Sequence, residues 1–349
     1  MLLKKLTMRF VMSIIYGMER DTRHISAICP YCFHTLNNFG FCPNCRRSGA
    51  AQSAPDALPM RTLLHGRYLL GNVLGKGGFG ITYNAWDTQT SSRVALKEFF
   101  PSGYVTRAPR QTGVAMLKAE YGGAFTHWLN AFIDEAKVLS NIAHLAGVVK
   151  IKNFFTENNT AYIAMEFLDG ISLRQYLSAR GGKLPLNETL HIMRPVLEAL
   201  LTLHQYGVIH KDISPENIQI VQNREVKLID FGAASIYNRS VQKPYIILKH
   251  GFSPIELYRT DLKQGPWSDI YQAGATIYNC LTGIIPPPAP NRIPIDKLVP
   301  PSAYGIHIPV VRENALMKAM RVNAKERYTN MGEFIQMIYG EFMPPPLKI

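Results

Sequence analysis

The chain is short of three things. Acidic residues come first: 25 Asp and Glu stand against 38 Lys and Arg, a formal charge of +13 over 349 residues. That imbalance favours anionic partners such as nucleotides, acidic proteins, nucleic acid or a membrane surface, without choosing among them. Cysteine is second, with five residues, four of them gathered near the N-terminus. Long apolar runs are third. None reaches the ~20 residues needed to cross a bilayer. What is present is a 47% hydrophobic fraction, enough for a globular core without bulk disorder. The length allows one large domain or two, plus a small appendage.

Residues 1–24 read as a lead unlike anything after it. Lys4, Lys5 and Arg9 precede Phe10-Val11-Met12-Ser13-Ile14-Ile15-Tyr16, a faint secretion-signal pattern with a short apolar core and no small-x-small cleavage site. A short amphipathic lead, or a natural start at Met18, accounts for it better.

The cysteines form Cys29-Pro-Tyr-Cys32 and Cys42-Pro-Asn-Cys45, with Cys280 alone. Two C-x-x-C pairs at this separation place four thiolates where one tetrahedral Zn²⁺ can gather them. Two disulfides or a redox pair are the competing readings, and His34 is a spare ligand candidate. A segment this small cannot bury a core, so the metal would supply its folding energy. Reduced thiols imply a cytoplasmic location. The expected organisation is a zinc ribbon over 25–48, a flexible linker over 49–64 and one large domain over 65–342.

The large domain begins with strand patterns. Tyr68–Leu74 and Ile81–Trp86 flank Gly75-Lys76-Gly77-Gly78-Phe79-Gly80, and Val94–Lys97 follows as a third strand. Glycines between two strands let backbone N–H groups press against phosphate. A dinucleotide site would place this loop between a strand and a helix, with an acidic residue about twenty positions on; Asp87 comes too early. Lys97 is the candidate phosphate ligand. Glu135, on a helical pattern carrying Phe132, Ala136 and Leu139, is its expected counter-charge, with Asp134 as the competitor. A strand at 160–167 and helices at 187–206, 268–283 and 310–321 complete an α+β chain with a cleft between two lobes. Pro286-Pro287-Pro288-Ala289-Pro290 reads as a structured loop.

The most informative stretch is His210-Lys211-Asp212-Ile213-Ser214-Pro215-Glu216-Asn217, followed by Asp230-Phe231-Gly232. Asp212 can take a hydroxyl proton, while Asn217 and Asp230 offer oxygen ligands to magnesium. With these motifs in order, the chain from about Tyr68 to Tyr339 resembles a eukaryotic-type serine/threonine protein kinase catalytic domain. It is most similar to a bacterial branch with Lys97-Glu98-Phe99-Phe100-Pro101 and Gly251-Phe252-Ser253-Pro254-Ile255-Glu256. The resemblance implies a two-lobed kinase fold, with a β-rich N-lobe over 65–166 and a helical C-lobe over 170–342. It implies ATP under the loop from Leu74 through Gly75, Lys76, Gly77, Gly78, Phe79 and Gly80 to Thr82. Ala95 would line the pocket, Met165 would be its gatekeeper, and backbone at Glu166 and Leu168 would hold the adenine. Asp269 would brace the catalytic loop and Arg327 would pair with Glu256.

Two departures from the family pattern come as a pair. Ser214 stands where such kinases carry a lysine, and Lys249 stands where they carry a threonine. An exchange of positions is expected, with Lys249 supplying the positive charge and Ser214 the hydroxyl. Lys211 replaces an arginine, and the acceptors between 233 and 248 are Ser235, Tyr237, Ser240 and Tyr245. The stretch from Pro101 to Trp128, with Arg107, Arg110 and Lys118, reads as an ordered insertion packed beside the Glu135 helix; ordinary loop packing accounts for it at least as well as a role in coupling a partner to Glu135. The implied activity is ATP- and Mg²⁺-dependent phosphorylation of Ser/Thr in protein substrates. The alternatives are a pseudokinase scaffold that binds nucleotide, and a ribbon that binds a protein or nucleic acid through Arg46, Arg47, Tyr31, Phe33, Phe39 and Phe41.

Overall fold

In the computed structural model, residues 26–50, 53–142, 145–222, 225–236, 248–259 and 261–340 are described. The readings of the 1–24 lead and of Tyr237, Ser240 and Tyr245 fall outside them. The described residues form two compact units. One runs to Asn141 and resumes over Lys150–Phe167; the other takes Ile142–Val149 and everything from Leu168.

The first unit is built on an antiparallel sheet of order β1-β2-β3-β4-β8-β7. Its strands are β1 (Leu63–Leu64), β2 (Tyr68–Lys76), β3 (Gly80–Asp87), β4 (Ser92–Phe99), β7 (Ile151–Glu157) and β8 (Thr160–Glu166). Between β4 and β7 lie a small ladder, β5 (Val105–Thr106) with β6 (Ala115–Met116), and helix α1 (Gly122–Asn141). Side chains alternate across β4. Phe99 faces α1, with ring centroids 5.4 Å from Phe125 and from Phe132. Lys97, two residues earlier, shares that face. Glu98 points the other way.

The second unit carries β9 (Gly170–Ser172), α2 (Leu173–Ala179) and α3 (Leu186–Gln205), then β10 (Val208–Ile209), β11 (Ile218–Val221), β12 (Val226–Leu228) and β13 (Ser235–Ile236). Helices α4 (Ile255–Tyr258), α5 (Pro266–Thr282), α6 (Val310–Ala319) and α7 (Met331–Tyr339) follow. Helix α5 is buried from Ser268 to Leu281, so its polar residues Asp269 and Gln272 must find partners inside the protein. Ser172 caps α2 reciprocally with Gln175, and Gly283 closes α5 in the left-handed region. After α5, Pro286 and Ala289 are buried, so the proline cluster is a packed loop.

Three segments carry structure that the expected boundaries did not describe. Within the described part of 49–64, Leu58 and Leu64 are buried, β1 pairs with β2, and Arg61 donates to the carbonyls of Ile28 and Gly49. Its small polar composition concealed two apolar anchors. Gly147 and Val149, inside the expected 65–166 run, exchange backbone hydrogen bonds with Leu228 and group with the second unit. The insertion ends earlier than Trp128, since α1 begins at Gly122. Trp128 lies on α1 and packs edge-on against Tyr104 at 4.7 Å.

Candidate active site and candidate metal centre

In the second unit, residues 210–217 form a loop pinned from below by α5. Asp269 accepts the backbone N–H groups of His210 at 2.9 Å and Lys211 at 2.8 Å. Gln272 receives the N–H of Ile213 and donates to the carbonyl of Lys211. These bonds hold Lys211 at φ 64°, a left-handed conformation that a lysine does not adopt unaided. Burial alone would raise the Asp269 carboxyl. Its hydrogen bonds with His204 and the loop outweigh that and keep it below the usual carboxylate range. Burial pushes the His210 imidazole down, so it is neutral, and its Nδ1 accepts the Asp212 N–H.

Asp212 is buried, and both of its oxygens are engaged. Oδ2 accepts from Asn217 Nδ2 at 2.7 Å, and Oδ1 lies 3.0 Å from Lys249 Nζ. The same ammonium donates to Ser214 Oγ at 2.8 Å. Lys249 is itself fixed, its N–H donating to Ser253 Oγ and its carbonyl accepting from Phe252 and Ser253. Ser214 and Lys249, 35 residues apart in sequence, therefore meet at the Asp212 carboxylate.

Asn217 Nδ2 also donates to the Asp212 carbonyl at 2.8 Å. Two acceptor partners oblige the amide nitrogen to face them, which leaves Oδ1 for a cation. Asp230 sits at φ 60°, with its Oδ1 accepting the Gly232 N–H. An amide oxygen and a carboxylate are the hard oxygen donors magnesium prefers, so the residues fit that ion. Further along, Arg327 and Glu256 form a buried two-pronged pair at 2.7 and 3.1 Å.

In the first unit, β2 and β3 meet in a turn closed by Gly77 N–H to the Gly80 carbonyl at 2.9 Å. The turn is also held from outside: Phe100 donates to the Phe79 carbonyl and Ser102 to that of Gly78. A methyl group on Gly80 would lie 2.6 Å from the Glu98 carbonyl oxygen. Close approach of β4, besides any phosphate, thus requires that glycine. Lys76 reaches Asp56 at 3.0 Å, and Leu74 is exposed. Thr82 pairs across the sheet with Lys97, and Ala95 with Met165; Glu166 closes β8, while Leu168 belongs to the second unit. Lys97 Nζ lies 6.0 Å from the Phe132 ring, one helical turn before Glu135. Asp134, the competitor, is exposed and paired with Lys137.

A buried centre on the opposite face of β4 left no motif in the sequence. Glu98 accepts from Tyr83 at 2.8 Å, from Tyr162 at 2.9 Å and from the Arg107 guanidinium. Arg107 also donates to the carbonyls of Asp56 and Thr112. Burial works against the Arg107 guanidinium, yet the charge and hydrogen bonds of Glu98 hold it above its usual range, while burial pushes the Glu98 carboxyl up.

The four N-terminal cysteines form two matching turns. Phe33 donates to Cys29 and Cys29 to His34; Arg46 donates to Cys42 and Cys42 to Arg47. Phe33 and Arg46, each just after a second cysteine, have φ near +60°. The ligand atoms of the four all lie within 4.8 Å of one another, with Sγ pairs at 3.6 Å (Cys29–Cys45) and 3.4 Å (Cys32–Cys42). Those separations exclude disulfides, whose sulfurs sit at about 2.0 Å. They approach the ~3.8 Å edge of a tetrahedron with Zn–S bonds of ~2.3 Å. Burial pushes the Cys32 thiol up to about 12, while, against burial, hydrogen bonds from the turn and from Cys32 hold the Cys42 thiol below its usual range. The donor set fits zinc. His34 is exposed, with its ring against the Cys32 carbonyl. Of the knuckle aromatics, Phe33 is buried and Tyr31 lies under Arg47, while Phe39 and Phe41 are exposed.

A family model described as Protein kinase domain matches residues 68–299. A probable serine/threonine-protein kinase of Clostridium acetobutylicum is 26% identical over 283 residues, covering 78% of this chain and 40% of that protein. The serine/threonine-protein kinase PrkC of Bacillus subtilis is 29% identical over 274 residues, covering 76% and 39%. The chain thus spans less than half the length of these two relatives. Among solved structures, the apo form of PpkA-294 is 28% identical with a TM-score of 0.70, covering 81% of this chain and 99% of its own.

Proposed function

Because the chain belongs to the protein kinase family, we propose that it transfers the γ-phosphoryl group of ATP to serine or threonine hydroxyls of protein substrates. What supports this reading above all is Asp212, a carboxylate tied to Asn217 on one oxygen and to Lys249 on the other. In this reading Asp212 orients the acceptor hydroxyl and takes its proton as the new O–P bond forms and ADP leaves. Lys249 stands beside that proton acceptor as the positive charge which Ser214 does not provide. Lys97, held by Glu135, binds the α- and β-phosphates beneath the Gly75–Gly80 loop. Magnesium ions on Asn217 and Asp230 would neutralise the phosphate oxygens. Pro215-Glu216-Asn217 favours Ser/Thr over Tyr as acceptor.

The four cysteines are proposed to hold one structural zinc. Since the site needs reduced thiols, a cytoplasmic location follows from it. Among the described residues, no helix is long and apolar enough to cross a membrane.

The test is transfer from radiolabelled ATP with Mg²⁺ to the chain itself and to a generic basic protein, followed by phosphoamino-acid analysis. Phosphoserine or phosphothreonine is the expected product. ATP binding without transfer to either acceptor would overturn the enzyme reading in favour of a scaffold.

A further inference from the structure

The knuckle does not hang from the first unit; it is seated on it. The seat uses the two residues between the first pair of cysteines. The Pro30 carbonyl accepts the Asn72 N–H at 2.9 Å, and the Tyr31 carbonyl accepts Asn84 Nδ2 at 2.9 Å. Asn84 is fully buried on β3 and also touches the Asn72 side chain at 3.2 Å, so its amide is spent on this contact. Beneath, Ile28 and Phe33 pack with Leu69 and against Trp86. Gly71 admits the turn: a methyl group there would lie 2.2 Å from the Pro30 oxygen and 2.9 Å from the Phe33 ring.

The seat coincides with an irregularity. The β2–β3 register shifts between Leu70 and Val73, and again between Val73 and Gly75. A shift of this kind unpairs a strand N–H and alters the local twist. Here the N–H of Asn72 goes to the knuckle. Three residues later β2 enters the Gly75–Gly80 loop, and Asn84 lies four residues beyond it on the returning strand. The Cys29–Cys32 turn thus grips both strands of the hairpin whose tip is the glycine-rich loop.

We infer that this metal-shaped turn is a positioning element for the nucleotide loop, and that Gly71, Asn72 and Asn84 couple metal occupancy to ATP affinity. The inference rests on the proposed function only in taking Gly75–Gly80 as the nucleotide loop. With metal bound, the carbonyls of Pro30 and Tyr31 are presented together and the bulge is held in one geometry. Without it the turn loses its shape, and the hairpin must recover that geometry each time nucleotide binds.

The test uses the full chain and reads zinc content together with direct binding of a fluorescent ATP analogue. Chelation is expected to weaken nucleotide binding about 5-fold or more. Gly71→Ala should keep its zinc and show a similar weakening, with little further loss on chelation, because the two act through one contact. The KM for ATP should rise while kcat changes less than about two-fold. Should Gly71→Ala fail to fold, Arg61→Gln, which releases the carbonyls of Ile28 and Gly49, carries the same expectation. Unchanged nucleotide affinity after metal removal would overturn the inference, as would a full chelation effect persisting in a zinc-loaded Gly71→Ala chain. Nucleotide binding is read independently of transfer. A chain that transfers no phosphate, yet whose nucleotide affinity follows its zinc, would sink the enzyme reading and leave this one standing.

Discussion

Lys249→Ala is expected to lower the rate of phosphoryl transfer by about three orders of magnitude while changing ATP affinity less than about two-fold. The size follows from position. The Lys249 side chain keeps about a quarter of its surface, 27%, in contact with solvent, so its charge acts through an intermediate dielectric. A unit charge about 4 Å from charge developing on the transferred group is then worth about 4 kcal/mol. That corresponds to a factor of about a thousand in rate. Ground-state nucleotide binding draws on other groups, so Kd for ATP should barely move. Ser214→Ala should cost much less, about ten-fold or under, because the hydroxyl only orients the ammonium. Lys249→Arg should recover little, since a planar fork does not replace a compact ammonium at 2.8 Å from Ser214 and 3.0 Å from Asp212. The decisive variant is the double exchange, Ser214→Lys with Lys249→Thr, which returns the lysine to the catalytic loop. It should regain at least about ten-fold over Lys249→Ala. Steady-state kinetics on a basic protein substrate, with nucleotide binding measured separately, checks each value. Transfer at the normal rate by Lys249→Ala would reduce that residue to an anchor of the segment before α4.

How much of this could be read in advance depended on where each partner lay. The cysteine centre was legible because its ligands come in two local turns, and a three-residue spacing nearly specifies the shape. The Asp212–Asn217 contact was legible because the two are five residues apart on one loop. Lys249 and Ser214 are 35 residues apart, and only their simultaneous departure from the family pattern linked them. The knuckle's seat left almost no trace. Asn72 and Asn84 bond to backbone carbonyls of Pro30 and Tyr31, and a carbonyl contributes the same atom whatever the side chain. Gly71 read only as one residue of the Tyr68–Leu74 strand; its purpose depends on a turn about forty residues earlier. Gly80 was read for phosphate, although the approach of Glu98's carbonyl demands it as well. The 49–64 segment misled because composition weighs its many small residues above Leu58 and Leu64, the two that are buried.

The pairing of Arg107 with Glu98 was the costliest omission, and replacing Arg107 carries the second large expectation. The sequence placed Arg107 in an ordered insertion beside the Glu135 helix and offered no partner for it. Instead its side chain is 2% exposed and faces a Glu98 side chain with no exposure at all. Truncating one partner of such a pair leaves a buried charge uncompensated, which typically costs about 3–5 kcal/mol. Arg107→Ala should therefore destabilise the first unit by about that amount, a large share of the 5–15 kcal/mol that usually holds a domain together. It should also release Asp56 and Thr112, whose carbonyls the guanidinium holds. Glu98→Gln combined with Arg107→Met removes both charges; Tyr83 and Tyr162 donate to different Glu98 oxygens, so one keeps its bond to the amide oxygen while the other can accept from the new NH2. The double variant should be more stable than Arg107→Ala, a positive coupling that two independent surface residues would not show. Denaturant unfolding followed by tryptophan fluorescence reads this out, Trp86 and Trp128 both lying in the first unit. A loss below about 1 kcal/mol for Arg107→Ala would mean that the pair behaves like a surface salt bridge. The insertion would then be a loop laid against β4 and not a part of the core that holds Lys97 in place.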